Sequence, residues 1–258
     1  MLCMLVLMTG IISPMAAQEK TDTSEVKILI STPKRFYMGN GYDMLMFSSA
    51  SYQPAISDEK ITTPRFTAMV NLGLNLHYDV SKKTGFFTGI GLKNLGFIHK
   101  FKDATNAGIT AKQRVYTLGI PLGIKLGDLR NRNFIFGGGG IDIPFNYSYK
   151  AFTKGERYNK YYKHNEWLSE EVTPIMPYVF LGVSFNPGII VKAQYYPSNF
   201  FNEDYGYRTS SGVMVQPYRN VKAHIFALCL SIDIHYNQYK IQEREYRKWK
   251  AENLKTKN

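Results

Sequence analysis

Residues 66–78 read FTAMVNLGLNLHY. The even positions, Phe66, Ala68, Val70, Leu72, Leu74, Leu76 and Tyr78, are apolar, and Thr67, Met69, Asn71, Gly73, Asn75 and His77 stand between them. A period of two puts the two sets on opposite faces of one extended strand. Strands of soluble sheets average about 5–6 residues, whereas a tilted membrane-crossing strand needs about 9–11. This stretch meets the second requirement with some overhang.

The same alternation recurs. Residues 115–126 set Tyr116, Leu118, Ile120, Leu122, Ile124 and Leu126 against Val115, Thr117, Gly119, Pro121, Gly123 and Lys125. Residues 222–236 set Phe226, Leu228, Leu230, Ile232, Ile234 and Tyr236 against Ala227, Cys229, Ser231, Asp233 and His235. Residues 175–185 carry Ile175, Val179, Leu181, Val183 and Phe185 on one face. Less regular strands are expected at about 42–52, 85–99, 134–147 and 189–197, which makes eight. Their connections sort by parity. Short turn sequences lie at 81–84, 127–133 and 186–188, and long connections at roughly 53–65, 100–113, 148–173 and 198–220. An up-and-down barrel that crosses a membrane puts its short turns on one rim and its long loops on the other. A soluble sandwich has no reason to do so.

Composition is compatible with this. The chain has 258 residues, a net charge of +12 and 44% hydrophobic positions. Neither Gly nor Pro dominates, which excludes collagen-like and disordered chains. No stretch beyond residue 12 offers the ~20 consecutive apolar residues of a membrane helix. The mean hydropathy of −0.26 has the ring of a soluble protein, but a barrel shows lipid only alternate residues. Residues 1–17 combine the apolar run LCMLVLMTGII with the small pair Ala16-Ala17, the pattern of a cleaved export leader. Cleavage there leaves Cys229 as the single thiol, so no intrachain disulfide is available.

The expected fold is therefore all-β: an eight-stranded antiparallel up-and-down transmembrane β-barrel over 42–236. A leader over 1–17 and a periplasmic segment over 18–41 precede it, and a basic periplasmic tail over 237–258 follows. The rival is a soluble lipocalin-like binding barrel, with the apolar face turned inward. Small polar groups suit a narrow lumen and large branched ones suit lipid, and rings near strand ends suit interfacial girdles. Both features favour the membrane.

The leader, the eight strands and the segment Arg114–Gly127 (RVYTLGIPLGIKLG) resemble the small outer-membrane barrels of Bacteroidota, the PorT-like and OmpX-like group. Members often carry an Arg-x-Tyr-Leu-x-Ile-Pro-Leu-type strand at this place. The resemblance covers about residues 40–236. It implies location in the cell outer membrane and a part in secretion, adhesion or envelope integrity.

Chemistry-bearing patterns are few. Ser231, Asp233 and His235 share one face of the last strand and supply the components of a hydrolase triad. Positions two apart on a strand are ~7 Å apart, too far for direct hydrogen bonds along the row, so a polar lumen row is the expected role. A lipid-modifying barrel enzyme is the alternative that would use them. His77 and Asp79 lack metal-ligand spacing to Asp233 and His235, and Gly137–Gly140 lacks the Lys-Ser/Thr of a phosphate loop. No cofactor is expected. The inward charges Asp43, Asp79, Lys93, Lys125, Asp142, Lys192 and Asp233 are expected to pair within the lumen and close it, because an unpaired buried charge is too costly.

Two regions fit partner binding. The loop over 148–173 displays Tyr158, Tyr161, Tyr162 and Trp167, and rings give contact area at low entropic cost. The tail carries seven basic against three acidic residues. In it Tyr239, Gln242, Tyr246 and Trp249 trace one side of a short amphipathic helix, and Arg244, Arg247, Lys248 and Trp249 are candidate contacts. The expected function is that of a non-enzymatic envelope scaffold or accessory subunit. Its expected partners are outer-membrane lipid and a protein, and nucleic acid is not among them.

Overall fold

The computed structural model describes residues 36–41, 43–54, 60–102, 108–153, 160–186 and 188–232, except for the side chains at 60, 69, 70, 160 and 161. The expected leader and helical tail lie outside these residues, as do Tyr158, Asp233, His235, Arg244, Arg247, Lys248 and Trp249. The described elements are all strands: β1 (Phe36–Asn40), β2 (Asp43–Gln53), β3 (Lys60–Ile61), β4 (Arg65–Asp79), β5 (Thr84–Lys102), β6 (Gly108–Asp128), β7 (Asn133–Thr153), β8 (Lys160–Trp167), β9 (Met176–Phe185), β10 (Ile189–Tyr196), β11 (Tyr207–Arg208), β12 (Met214–Val215) and β13 (Lys222–Ile232). No helix among the described residues is long and apolar enough to cross a membrane, which says nothing of a β-barrel.

Partners are antiparallel throughout. Followed from strand to strand, β2–β4–β5–β6–β7–β9–β10–β13 returns to β2, with Leu228 of β13 opposite Phe47 and Phe47 opposite Phe66 of β4. Closure of this kind removes the unpaired edges that open sheets must protect. β1 also pairs with β4, Asn40 lying opposite Leu74 and Asp43 of β2 opposite Asn71. The two are therefore successive parts of one strand, joined where Gly41 N–H donates to Gly73 C=O at 2.8 Å. The sequence reading began the barrel at 42, and among the described residues pairing is present from Phe36. The run Gly39-Asn40-Gly41 interrupts the alternation and hides the outward positions Phe36 and Met38.

One rim is built from tight turns. The Ser81 hydroxyl accepts the N–H groups of Lys83 and Thr84. Asp128 accepts the backbone and side-chain N–H groups of Asn131, which hold its carboxyl below the usual range. Gly127 has φ 141°, and a Cβ there would stand 2.6 Å from the Asn133 carbonyl, so glycine is required. The opposite rim is taller than the sequence reading made it. β5 and β6 pair as far as Lys102↔Gly108, so the connection expected over 100–113 shrinks to 103–107. Much of the loop expected over 148–173 is the outer half of β7 paired with β8. There the inward positions Ile109, Ala111, Tyr147 and Ala151 are apolar and buried while outward Lys112 is polar and exposed, so the apolar-out pattern of a membrane strand inverts.

The wall sorts as the pattern demands. Leu72, Leu74, Leu122, Leu181 and Leu228 are 56, 55, 66, 67 and 51% exposed on the outside. Thr67, Asn71, His77, Thr117, Lys125, Ser184 and Ser231 point inward and are buried. The lumen is not uniformly small and polar, however. Phe97, Tyr147, Tyr178, Phe180, Tyr196, Phe200 and Phe201 are buried inside it. Glycines on neighbouring strands make room for this aromatic mass: a methyl group added at Gly123 would run into Phe87, and one at Gly182 into Phe136.

Candidate functional site

Midway along the barrel, the pleat aims charged side chains at the axis, where each must find a partner. Lys93 Nζ donates to both carboxylate oxygens of Asp142 at 2.9 and 3.1 Å and lies 3.6 Å above the Tyr178 ring. The Tyr196 hydroxyl donates to Asp142 Oδ2 at 2.7 Å. Lys192 donates to Asp43 Oδ2 at 3.0 Å, and Ser231 Oγ donates to Asp43 Oδ1 at 2.7 Å. Nearer the short-turn rim, Lys125 Nζ meets Asp79 at 2.6 Å and the Tyr37 hydroxyl at 2.8 Å. Asp43, Asp79, Lys93, Lys125, Asp142 and Lys192 thus lie in ion pairs. A cavity of about 90 Å³ remains among Asn71, His77, Phe87, Lys93, Lys125 and Lys192. Its lining mixes these polar groups with rings such as Phe136 and Phe180, and it has room for a few waters.

Ser231 is bound into this network rather than activated. Its proton goes to a carboxylate already paired with Lys192, and no histidine among the described residues hydrogen-bonds it. His77 instead stacks between Tyr37 and Phe87, with centroids at 4.9 and 5.7 Å. A nucleophile needs a base within hydrogen-bond reach, and the described surroundings of Ser231 offer none that is free.

The long-loop end is stoppered. The segment after β10 turns inward and places Phe200 and Phe201, 0 and 2% exposed, across the mouth. Phe200 packs edge-on against Phe97 at 5.3 Å and beside Tyr147. Its backbone is held on both sides, since Phe200 N–H donates to Ala223 C=O and accepts from Thr173 N–H through its own carbonyl. Asn199 clamps the turn by donating to Val221 C=O and accepting from Ala223 N–H. Sequence reasoning missed this plug. The available signal was two adjacent Phe residues between asparagines in a loop, where exposure would leave both unburied.

Above the plug, the turn at Leu168 (φ 51°) folds the chain back from β8. Trp167 is 69% exposed on the outer wall and stacks on Phe145, which stacks on Tyr116 at the level where β7 bulges. Tyr162 shares the face of β8 that carries His164, on whose ring it stacks at 6.5 Å, and packs against Tyr149. On the inner side His164 Nε2 lies 3.1 Å from Glu171 Oε1 and 3.6 Å from Glu166 Oε2. Ser169 Oγ donates to Glu166, and the Tyr218 hydroxyl donates to Glu171 Oε2 at 2.5 Å. Burial, then the bond to Glu171, keeps the Tyr218 phenol protonated far above its ordinary range.

No family model matches the chain, and no curated protein does. Among solved structures it is similar to Ail, the attachment invasion locus protein of Yersinia pestis, at 10% identity over 77% of this chain and 97% of that one, with a TM-score of 0.37. Neisserial surface protein A is similar at 10% identity over 79% and 98%, with a TM-score of 0.33. The outer membrane protein OprG from Pseudomonas aeruginosa is similar at 11% identity over 78% and 95%, with a TM-score of 0.29. Likeness this distant carries no weight for function, which rests on the geometry of the chain itself.

Proposed function

We propose that the chain is an eight-stranded outer-membrane barrel of the PorT-like and OmpX-like kind, exported by a leader over 1–17. In this reading it is closed to solutes and acts as a non-enzymatic envelope scaffold or accessory subunit. The observation that carries the proposal is the pairing of an apolar outer belt with a lumen filled by ion pairs and an aromatic plug. A lipocalin-like binder would need an apolar ligand cavity behind a polar wall, and the outer leucines oppose that. A lipid-modifying enzyme would need an activated nucleophile, and Ser231 is tied to Asp43.

Within this reading Trp167 belongs to the interfacial girdle with Phe145 and Tyr116, where an amphipathic ring sits at headgroup level. Partner binding falls to the rim residues beyond it, Tyr149 and Tyr162, or to the basic tail. A cross-linked pull-down from native membranes separates the two. Tyr149→Ala/Tyr162→Ala is expected to lose the partner while keeping the heat-modifiable gel mobility of a folded barrel. Loss on deletion of 240–258 instead would assign the contact to the tail. Steady ion conductance in a planar bilayer would contradict the closed-lumen reading.

A further inference from the structure

We propose that the long-loop rim contains a site for one divalent transition-metal cation of the Zn²⁺ class, ligated by His164 Nε2 and the carboxylates of Glu166 and Glu171. The chain brings the three together by construction. His164 and Glu166 are two apart on β8 and so share its inner face, and the reversal at Leu168 returns Glu171 to the same point. All three donor atoms lie within 4.8 Å of one another. Bonds of about 2.1 Å in a tetrahedral site put neighbouring donors about 3.4 Å apart. The nitrogen-to-oxygen separations of 3.1 and 3.6 Å bracket that value.

Three further observations point to a cation. His164 Nε2 is shielded from solvent and makes no hydrogen bond, although two carboxylates stand beside it. Glu171 Oε1, at 3.1 Å, is within hydrogen-bond distance yet off the line an N–H would take, which is where a metal's other ligand stands. Each carboxylate is also oriented by a hydroxyl, Glu166 by Ser169 and Glu171 by Tyr218, the outer-shell support that ligating groups have. Tyr218 is itself fixed face-to-face on Phe201 at 4.5 Å. Among the described residues no lysine or arginine pairs with either carboxylate, so two like charges converge with only a histidine between them. One nitrogen and two carboxylate groups suit Zn²⁺ and its neighbours, whereas Ca²⁺ and Mg²⁺ take all-oxygen shells of six or more ligands. A bound cation would tie β8 to the loop before β13 through Glu171 and Tyr218. None of this depends on where the barrel is inserted.

The test is calorimetric titration of untagged, chelator-treated, full-length protein in detergent micelles with ZnCl₂. One Zn²⁺ per chain is expected. Affinity should fall at least tenfold in His164→Ala and Glu171→Gln and stay unchanged in Glu170→Gln, whose side chain takes no part in the cluster. Absence of saturable binding, or equal affinity in wild type and both ligand variants, would overturn the site. X-ray absorption at the zinc edge of the wild type needs no variant. It should show a first shell of nitrogen and oxygen near 2.0–2.2 Å with one imidazole, and a shell without imidazole would overturn the proposal even if the variants failed to fold.

Discussion

Asp142 accepts three hydrogen bonds, two from Lys93 and one from Tyr196, at a position with no solvent exposure. The charge is tolerable there because a cation and a hydroxyl together fill three of the carboxylate's about four acceptor directions. Asp142→Ala is expected to lower the unfolding free energy in urea by about 3–5 kcal/mol, the cost of stranding the Lys93 ammonium. Lys93→Met/Asp142→Leu should recover most of it, because neither charge is then buried alone. His99, beyond the girdle on β5, gives a pH-dependent counterpart. Its ring stacks on Tyr52 and Phe101 with Nδ1 buried and unbonded, and burial pushes its pKa down to about 4. An unfolded histidine titrates near 6.5, so between those values the unfolded chain holds the extra proton. Stability then falls as pH drops from about 6.5 and levels off below about 4. Subtracting the urea midpoints of His99→Phe from those of the wild type over pH 4–8 should isolate that slope, and parallel curves would count against it.

At the scale of elements, the inward turn between β10 and β13 is the part with the most to lose. Phe200 is fully buried between Phe97, Tyr147 and Phe201, so Phe200→Ala should cost about 3–5 kcal/mol. Brief proteolysis of micelle-bound protein should cut the variant between Asn199 and Val221 while sparing the wild type. The plug was not legible in the sequence, for a physical reason. Its backbone partners, Thr173 and Ala223, are distant in sequence, and nothing local announces that a loop will fold back into a barrel. β4, β6, β9 and β13 were legible because one face meets apolar surroundings and the other meets the lumen, which imposes strict alternation. β4 and β9 lie within one residue of expectation at both ends, whereas β6 begins at Gly108 rather than at 115. β5, β7 and β10 were blurred by inward rings such as Phe97, Tyr147 and Tyr196, which fill positions where the pattern expects small polar groups. The rim cluster was half visible. His164, Glu166 and Glu171 lay in a loop noted for its aromatics, but only the left-handed turn at Leu168 brings them together.

At the scale of the whole molecule, a girdle of rings bounds a belt of leucine, isoleucine, valine and phenylalanine, and polar turns and loops lie beyond it. In the proposed reading that belt is the surface that meets lipid, and the packed lumen closes the barrel to solutes. An arginine at Leu122, 66% exposed on β6, should cost about 2–4 kcal/mol if the position is near the bilayer midplane. The same substitution at Lys82, in a turn, should cost almost nothing, and refolding yields into phosphatidylcholine vesicles measured against urea would show the contrast. The most direct test is a spin-label scan along β4 and β13 in a background with Cys3 and Cys229 replaced, reconstituted in lipid. Labels at Phe66, Leu72, Leu74, Phe226 and Leu228 should collide with dissolved oxygen and not with a water-soluble nickel chelate, while labels at Thr67, Asn71 and Ala227 should be shielded from both. Nickel chelate reaching the leucines as readily as it reaches Lys82 would contradict the account.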